Sequence, residues 1–416
     1  MKCLLSFIAA LPIIAAAQGN FKFEQTLDWK QIVSKASAEH KYIFMYCFTP
    51  SSEHCRQMDK EVYTNKKVGE LFNTRFIALK MVMNGSAQAE EIKRRYHIAV
   101  YPSFLFFSPT GKIMHKSVGF KDPEGLIQLT NDALDPHKQY YILLQAYTSG
   151  ERNYLSMPYL ANTAWAIKEK TVADAVSRDY VNGFLWKLPK DQLYSKEHIE
   201  FMAAFLINSD KAYPKKVFDL FYKNRDRIDS VAGKNYSRDI IDFVISKQEI
   251  DSRLWTQDGK DIAEKPNWEM ITTHVTSKYN SDYAMRTVLG AQIRWYEYKK
   301  DSDALVKYNI EKVEKFGLDT TGFGKIGANN MIYYILFRHS NDTAVLGKAI
   351  RWMEVIVTSD PENGEFLDTY ANLLYKTGRS EEALRLEQKA LDLAQDKDIQ
   401  ENYAKMKRGE STWDPR

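Results

Sequence analysis

Cysteine is the scarcest chemical resource of this 416-residue chain, with three residues, at positions 3, 47 and 55. So few thiols exclude a disulfide scaffold and confine any cysteine chemistry to a handful of side chains. Excess charge is also missing. The chain has 58 basic against 54 acidic residues, a net charge of +4, whereas a dedicated nucleic-acid binder concentrates positive charge. No apolar run reaches eighteen residues, so the mature chain is expected to lack a membrane span. The eight histidines are scattered without an i, i+4 pair and acid, and His54-Cys55 alone cannot complete a four-ligand site. Phosphate-loop and serine nucleophile-elbow motifs are missing as well. No cofactor or metal is therefore implied. What is present is 44% hydrophobic residues and length enough for two or three domains at about 150 residues each.

The first seventeen residues carry an address. Lys2 supplies a positive start, residues 4–14 are apolar, and Ala15-Ala16-Ala17 fits a small-residue cleavage site before Gln18. We expect an exported, periplasmic protein with signal peptide 1–17. Cys3 would leave with the signal, so the mature chain would hold Cys47 and Cys55 in an oxidising compartment.

Two periodicities follow. Residues 28–40 predict a helix with Trp29, Ile32, Val33 and Ala36 on one face. Residues 41–48 form a nearly continuous apolar run, as expected of a strand covered on both faces. Thr49, Pro50, Ser51, Ser52 and Glu53 then supply hydroxyl caps, an early proline and a first-turn acid, the chemistry of a helix start. Further strands are expected at 75–83, 100–107 and 112–118, the last two closed as a hairpin by Ser108-Pro-Thr-Gly111, with helices at 87–96 and 122–134. This is an α/β sandwich with a mixed sheet over 18–135. Beyond Asp135-Pro136 the pattern is all-α. Helices are expected at 174–188, 195–207, 281–299 and 344–357, so 136–329 is a helical region.

Residues 330–416 add repeats and a tail. Ala349, Met353, Ile356 and Pro361 recur thirty-four positions later as Ala383, Glu387, Ala390 and Gln395. Tyr333, Leu336 and Ala344 likewise align with Leu367, Tyr370 and Gly378, while Phe337 stands where the second copy has Ala371. That period is the tetratricopeptide (TPR) signature, and a plain helical bundle with close-packed alanines is the alternative.

Four pieces of the first half resemble the thioredoxin-like superfamily: strand 42–48, the helix start Ser52-Glu-His-Cys55, the run Arg56-Gln-Met-Asp-Lys-Glu-Val62, and Tyr101-Pro102-Ser103 before Phe104-Leu-Phe-Phe107. The phrase Met58-Asp-Lys-Glu-Val-Tyr63 resembles the exported thioredoxin_7 type. From 21 to 410 the chain resembles exported bacterial proteins that join such a domain to a TPR-like helical region. The resemblance implies an active site, and this one is degenerate. Ser52 stands at the attacking cysteine, Ser51 at the preceding aromatic residue, and no buried acid is evident. Cys55 stands at the resolving cysteine, and a serine hydroxyl cannot replace a thiolate in exchange. The resemblance also makes Pro102 a cis-proline beside the active-site helix, and Gly119 the glycine after the last strand.

Two functions remain open from the sequence. One is binding or scaffolding of a protein or peptide partner through Pro102, Tyr101, Ser52 and His54. The other is thiol–disulfide oxidoreduction, with Cys55 acting alone or with Cys47 as the catalytic residues. Cys55 gains from a helix N-terminus but reads equally as a retained small side chain. Cys47 reads as a core residue or as a disulfide partner of Cys55. Partner identity and oligomeric state are not encoded in any motif.

Overall fold

The computed structural model describes residues 21–209, 213–256, 259–261, 265–394 and 396–413, with Phe323 described by its backbone alone. The expected signal peptide, Cys3 and Gln395 lie outside the described residues. The chain forms two compact units, divided between Lys234 and Asn235.

The first unit opens with α1 (Trp29–Glu39), capped by the Asp28 carboxylate, which accepts from Lys30 N and Gln31 N. It leads into β1 (Tyr42–Phe48), α2 (Glu53–Gln57) running into a π turn at Met58–Val62, α3 (Lys66–Arg75) and β2 (Phe76–Val82). Then come α4 (Ala87–Arg95), β3 (Ser103–Phe107), β4 (Ile113–Val118) and α5 (Pro123–Leu134). The four strands make one mixed sheet in the order β2-β1-β3-β4, with β1 parallel to β2 and antiparallel to β3. Strand β3 starts at Ser103 rather than at 100, because Pro102 has no N–H to donate to the ladder. The hairpin turn is where the sequence places it, with Gly111 at φ +81°.

Alternation along β1 separates two cores. Phe44 and Tyr46 join Met58, Val62, Phe72, Phe104 and Phe106 on one face. Ile43, Met45 and Cys47 join Ile32, Ile77, Leu79 and Leu105 on the other. Helices cover both faces, which is why β1 reads as an unbroken apolar run rather than an alternating one.

Both sheet edges are closed. Glu24 N donates to Ala78 O at 2.8 Å along β2. On the β4 side, α6 (Tyr140–Thr148) docks, and Tyr140 N donates to His115 Nδ1 at 3.2 Å. Burial lowers the His115 pKa to about 4, so the ring is neutral at pH 7 and can accept. Beside it Lys116, fully buried, donates from Nζ to Tyr96 O at 2.8 Å and His97 O at 3.0 Å. Its charge faces Glu169, 3.6 Å away in the turn between α7 (Met157–Ala166) and α8 (Lys170–Gly183).

Helix α8 starts before the expected residue 174 and leaves α geometry at Phe184, followed by a single 3-10 turn at Leu185–Lys187. Pro189 forces Leu188 into an extended conformation, so the helix cannot reach 188. At Gly183 a Cβ would meet the Tyr154 hydroxyl at 2.5 Å, so any larger residue there would have to displace that ring.

Among its described residues the second unit is helical apart from one isolated bridge, Trp255 to Asp261. Helix Ser281–Lys299 matches the expected range. At its C-terminal end the helices Gly322–Met331 (continued by a π turn at Ile332–Phe337), Thr343–Ser359, Gly364–Lys376, Ser380–Leu393 and Lys397–Arg408 follow one another through short turns. Ala349, Met353 and Ile356 are buried, with Leu346, on one helix, and Ala383, Glu387 and Ala390 are the buried positions of the helix two further on. The thirty-four-residue offset therefore corresponds to equivalent buried faces. It fails at Ala344 and Gly378, because Ala344 is helical whereas Gly378 is a turn residue at φ +85°. Phe337 fits in place of a small residue because its helix carries a π turn there, and it packs 6.1 Å from Trp413.

Replacing Met353 by Glu387 one repeat later has a consequence. Glu387 is fully buried against Asp368, whose Oδ1 accepts from Asn372 Nδ2 and Asn402 Nδ2, each at 2.9 Å. Two carboxyl groups in one dry site must share a proton. Burial first, and then the Asp368 charge, push Glu387 up to about 11. Glu387 is thus neutral when folded but ionises above its ordinary value of 4.5 when unfolded. Its contribution to stability is full below pH 4.5 and is lost as pH rises toward 11.

Two measurements test these contacts. Thermal unfolding followed at pH 5 and pH 9 should show Glu387→Gln stabilising the protein at pH 9 and flattening its decline with pH. In urea denaturation, Lys116→Ala should lose about 2–4 kcal/mol, because it leaves two backbone carbonyls without their donor and Glu169 with His97 alone.

Candidate functional site

The site lies where β1 ends and α2 begins. Ser52 is the N-cap of α2, in extended backbone geometry, and its Oγ accepts from Cys55 N at 3.4 Å. Arg56 pins the preceding turn by donating from Nη1 to Pro50 O at 3.0 Å and pairs with Glu53 on the surface. Cys55, in the first turn, is only 1% exposed. His54 beside it is exposed, and its ring lies 6.2 Å from that of Phe120.

Phe120 leads to the opposing loops. Gly119, at φ +82°, donates its N–H to Pro102 O at 2.8 Å, tying the end of β4 to the start of β3. The Tyr101–Pro102 bond is cis, Pro102 is buried and Tyr101 is half-buried. Ser52, His54 and Cys55 therefore share one end of the sheet with the 101–102 and 119–120 loops.

Cys47 is not part of this group. It is fully buried on the opposite face of β1, across from Met81 and Ser103. Burial pushes its thiol up to about 12. The helix carrying Cys55 lies on the Tyr46 face, and both cysteines are free.

The space between strand and helix start is filled by Tyr46, not by a carboxylate. Its hydroxyl donates to Cys55 O at 3.2 Å, and burial raises its pKa, so it remains protonated. Sequence reasoning missed the charges flanking it. Lys80 Nζ lies 2.7 Å from Asp59 and over the rings of Phe48 at 4.7 Å and Tyr46 at 5.7 Å. The available signal was a single lysine interrupting the apolar strand 76–82, and Lys116 interrupts β4 in the same way. Among the described residues no group of three or more metal-ligating His, Cys, Asp or Glu side chains assembles.

A four-stranded mixed sheet between helices, with a cis-proline beside a helix that carries a cysteine in its first turn, defines the class. Residues 29–134 match the family model Thioredoxin_2, described as a thioredoxin-like domain. The superfamily expected from the motifs thus stands, through a different subfamily model from the exported type suggested by Met58–Tyr63. Among solved structures the chain is similar to a putative disulphide-isomerase from Bacteroides thetaiotaomicron, at 29% identity over 27% of this chain and 91% of that one, with a TM-score of 0.25. It is also similar to a thioredoxin from Thermus thermophilus, at 18% identity over 26% and 85% of the two chains, with a TM-score of 0.24. A DsbH oxidoreductase aligns at 16% identity over 32% and 94%, with a TM-score of 0.23. A search of the curated proteins returns no match.

The burial of both thiols gives a direct test. Under native conditions iodoacetamide should leave Cys47 unmodified and label Cys55 slowly, whereas in denaturant both should react at once. Peptide mass spectrometry distinguishes the two sites.

Proposed function

We propose that this is an exported protein whose thioredoxin-like domain binds or scaffolds protein partners instead of exchanging disulfides. One observation carries this reading. The residue at the attacking position, Ser52, serves as the cap of α2, and the thiol that remains, Cys55, is buried. Disulfide exchange begins with an accessible thiolate, and a hydroxyl does not perform it. The exposed groups at this end, His54 and part of Tyr101, can instead contact a polypeptide laid across the Pro102 loop. The helix pairs with a thirty-four-residue offset support a TPR-like second surface over 330–416, and stacked helical repeats present extended faces to peptides and proteins. Export rests on the lysine, apolar stretch and alanine triplet of residues 1–17.

A second reading has one feature in its favour. Cys55 is a free thiol in the first turn of α2, at the position the resemblance gives to the resolving cysteine. Under that reading Cys55 would form mixed disulfides by itself, since Cys47 faces the other core.

Insulin reduction with dithiothreitol separates the two. The mature chain should show no turnover above the uncatalysed rate. Ser52→Cys, which restores two cysteines at the required spacing, should gain measurable activity. Wild-type turnover that disappears in Cys55→Ser would overturn the binding reading.

A further inference from the structure

The C-terminal unit contains a cavity of about 640 Å³ that the thioredoxin-like site does not involve. Its walls are the π-turn end of the helix at 332–338, helix Lys397–Arg408 and the tail at Thr412 and Trp413. Helix Gly364–Lys376 lies beneath, buried from Phe366 to Leu374, and Asn402 joins that floor to the cavity through its bond to Asp368. The volume falls in the range of about 300–1,000 Å³ typical of small-ligand sites.

Two opposite charges face this space without neutralising each other. Arg338 lies over the Tyr333 and Tyr334 rings at 5.2 and 5.4 Å, and among the described residues no carboxylate pairs with it. Asp398 on the facing helix likewise has no cationic partner among the described residues. The other charged pair in the wall is already closed, Lys405 to Glu401 at 2.7 Å. Between them, Tyr334 is 55% exposed, Trp413 offers a second aromatic surface, and the Thr412 hydroxyl is buried without a partner.

We propose that this cavity binds a short zwitterionic peptide. The guanidinium of Arg338 takes its carboxylate, Asp398 takes its ammonium group, and the aromatic surfaces take an apolar side chain. A guanidinium held over aromatic rings recognises a carboxylate by paired, charge-assisted hydrogen bonds. The Thr412 hydroxyl and Asn402 amide supply hydrogen bonds for peptide backbone. A purely anionic ligand would be repelled by Asp398, and a purely cationic one by Arg338.

Isothermal titration of the full chain with the tripeptide Ala-Phe-Ala tests this. Saturable binding is expected, weakened at least about tenfold by amidating the C-terminus and at least about tenfold by acetylating the N-terminus. Arg338→Ala should erase the discrimination between acid and amide. Asp398→Asn should erase that between free and acetylated amine. Both residues are exposed, so the variants should retain the parental circular dichroism spectrum. Cys55→Ser should bind like the parent, which keeps this result separate from the fate of the thioredoxin-like site. Absence of saturable binding, or binding indifferent to end-blocking and to both substitutions, would overturn the proposal.

Discussion

The N-terminal unit depends on β1 being buried on both faces. A strand with helices above and below must place successive side chains in different cores. Tyr46 therefore belongs to the aromatic core under α2, and Cys47, its neighbour in sequence, belongs to the aliphatic core under α1. Eight positions separate the two cysteines of the described chain, but the sheet itself stands between their environments. The strand's alternation decides the cysteine chemistry before any electrostatic effect enters.

The same geometry shows how the start of α2 is held by contacts that involve no reactive thiol. An N-cap residue has to accept a hydrogen bond from the first turn, and serine does this well. With Ser52 in that role, the orphan N–H of Cys55 is satisfied, Arg56 holds the turn through Pro50 O, and α2 begins where a redox helix would begin. Tyr46 then secures the Cys55 carbonyl from below. Each of these contacts stabilises the helix and none requires a reactive thiol. The fold survives a serine here because the backbone demand at this position is for an acceptor.

Much of this was legible in residue patterns. The apolar run 42–48, the hydroxyl-rich helix start and the turn at 108–111 each state their local structure through side-chain period and cap chemistry, and the structure places all three as expected. Less legible were contacts made by isolated charges. Nothing local in Lys116 says that its ammonium reaches Tyr96 O, His97 O and Glu169, because those partners come from two other segments. The same holds for Glu387, whose position in the repeat marks it as buried but whose partners, Asp368 and through it Asn372 and Asn402, lie on two other helices. Helix ends were less legible too: α8 leaves helical geometry at Phe184, and its last residue, Gly183, lies against Tyr154 from another segment, a contact that no periodicity records.

Lys116 also bears on how the thioredoxin-like fold is used. A sheet edge left open is a template for pairing with another chain. Here β2 is paired by the segment at Glu24, and β4 is covered by α6, held by His115 and by the Lys116–Glu169 contact. The helices after residue 135 are consequently part of the same compact unit as the sheet. Under the binding reading, a polypeptide would meet this unit at the end of the sheet where the Pro102 and Gly119 loops meet the capped start of α2. That end is also the part of the fold where the half-buried Tyr101 and the exposed His54 give a partner side chains to contact.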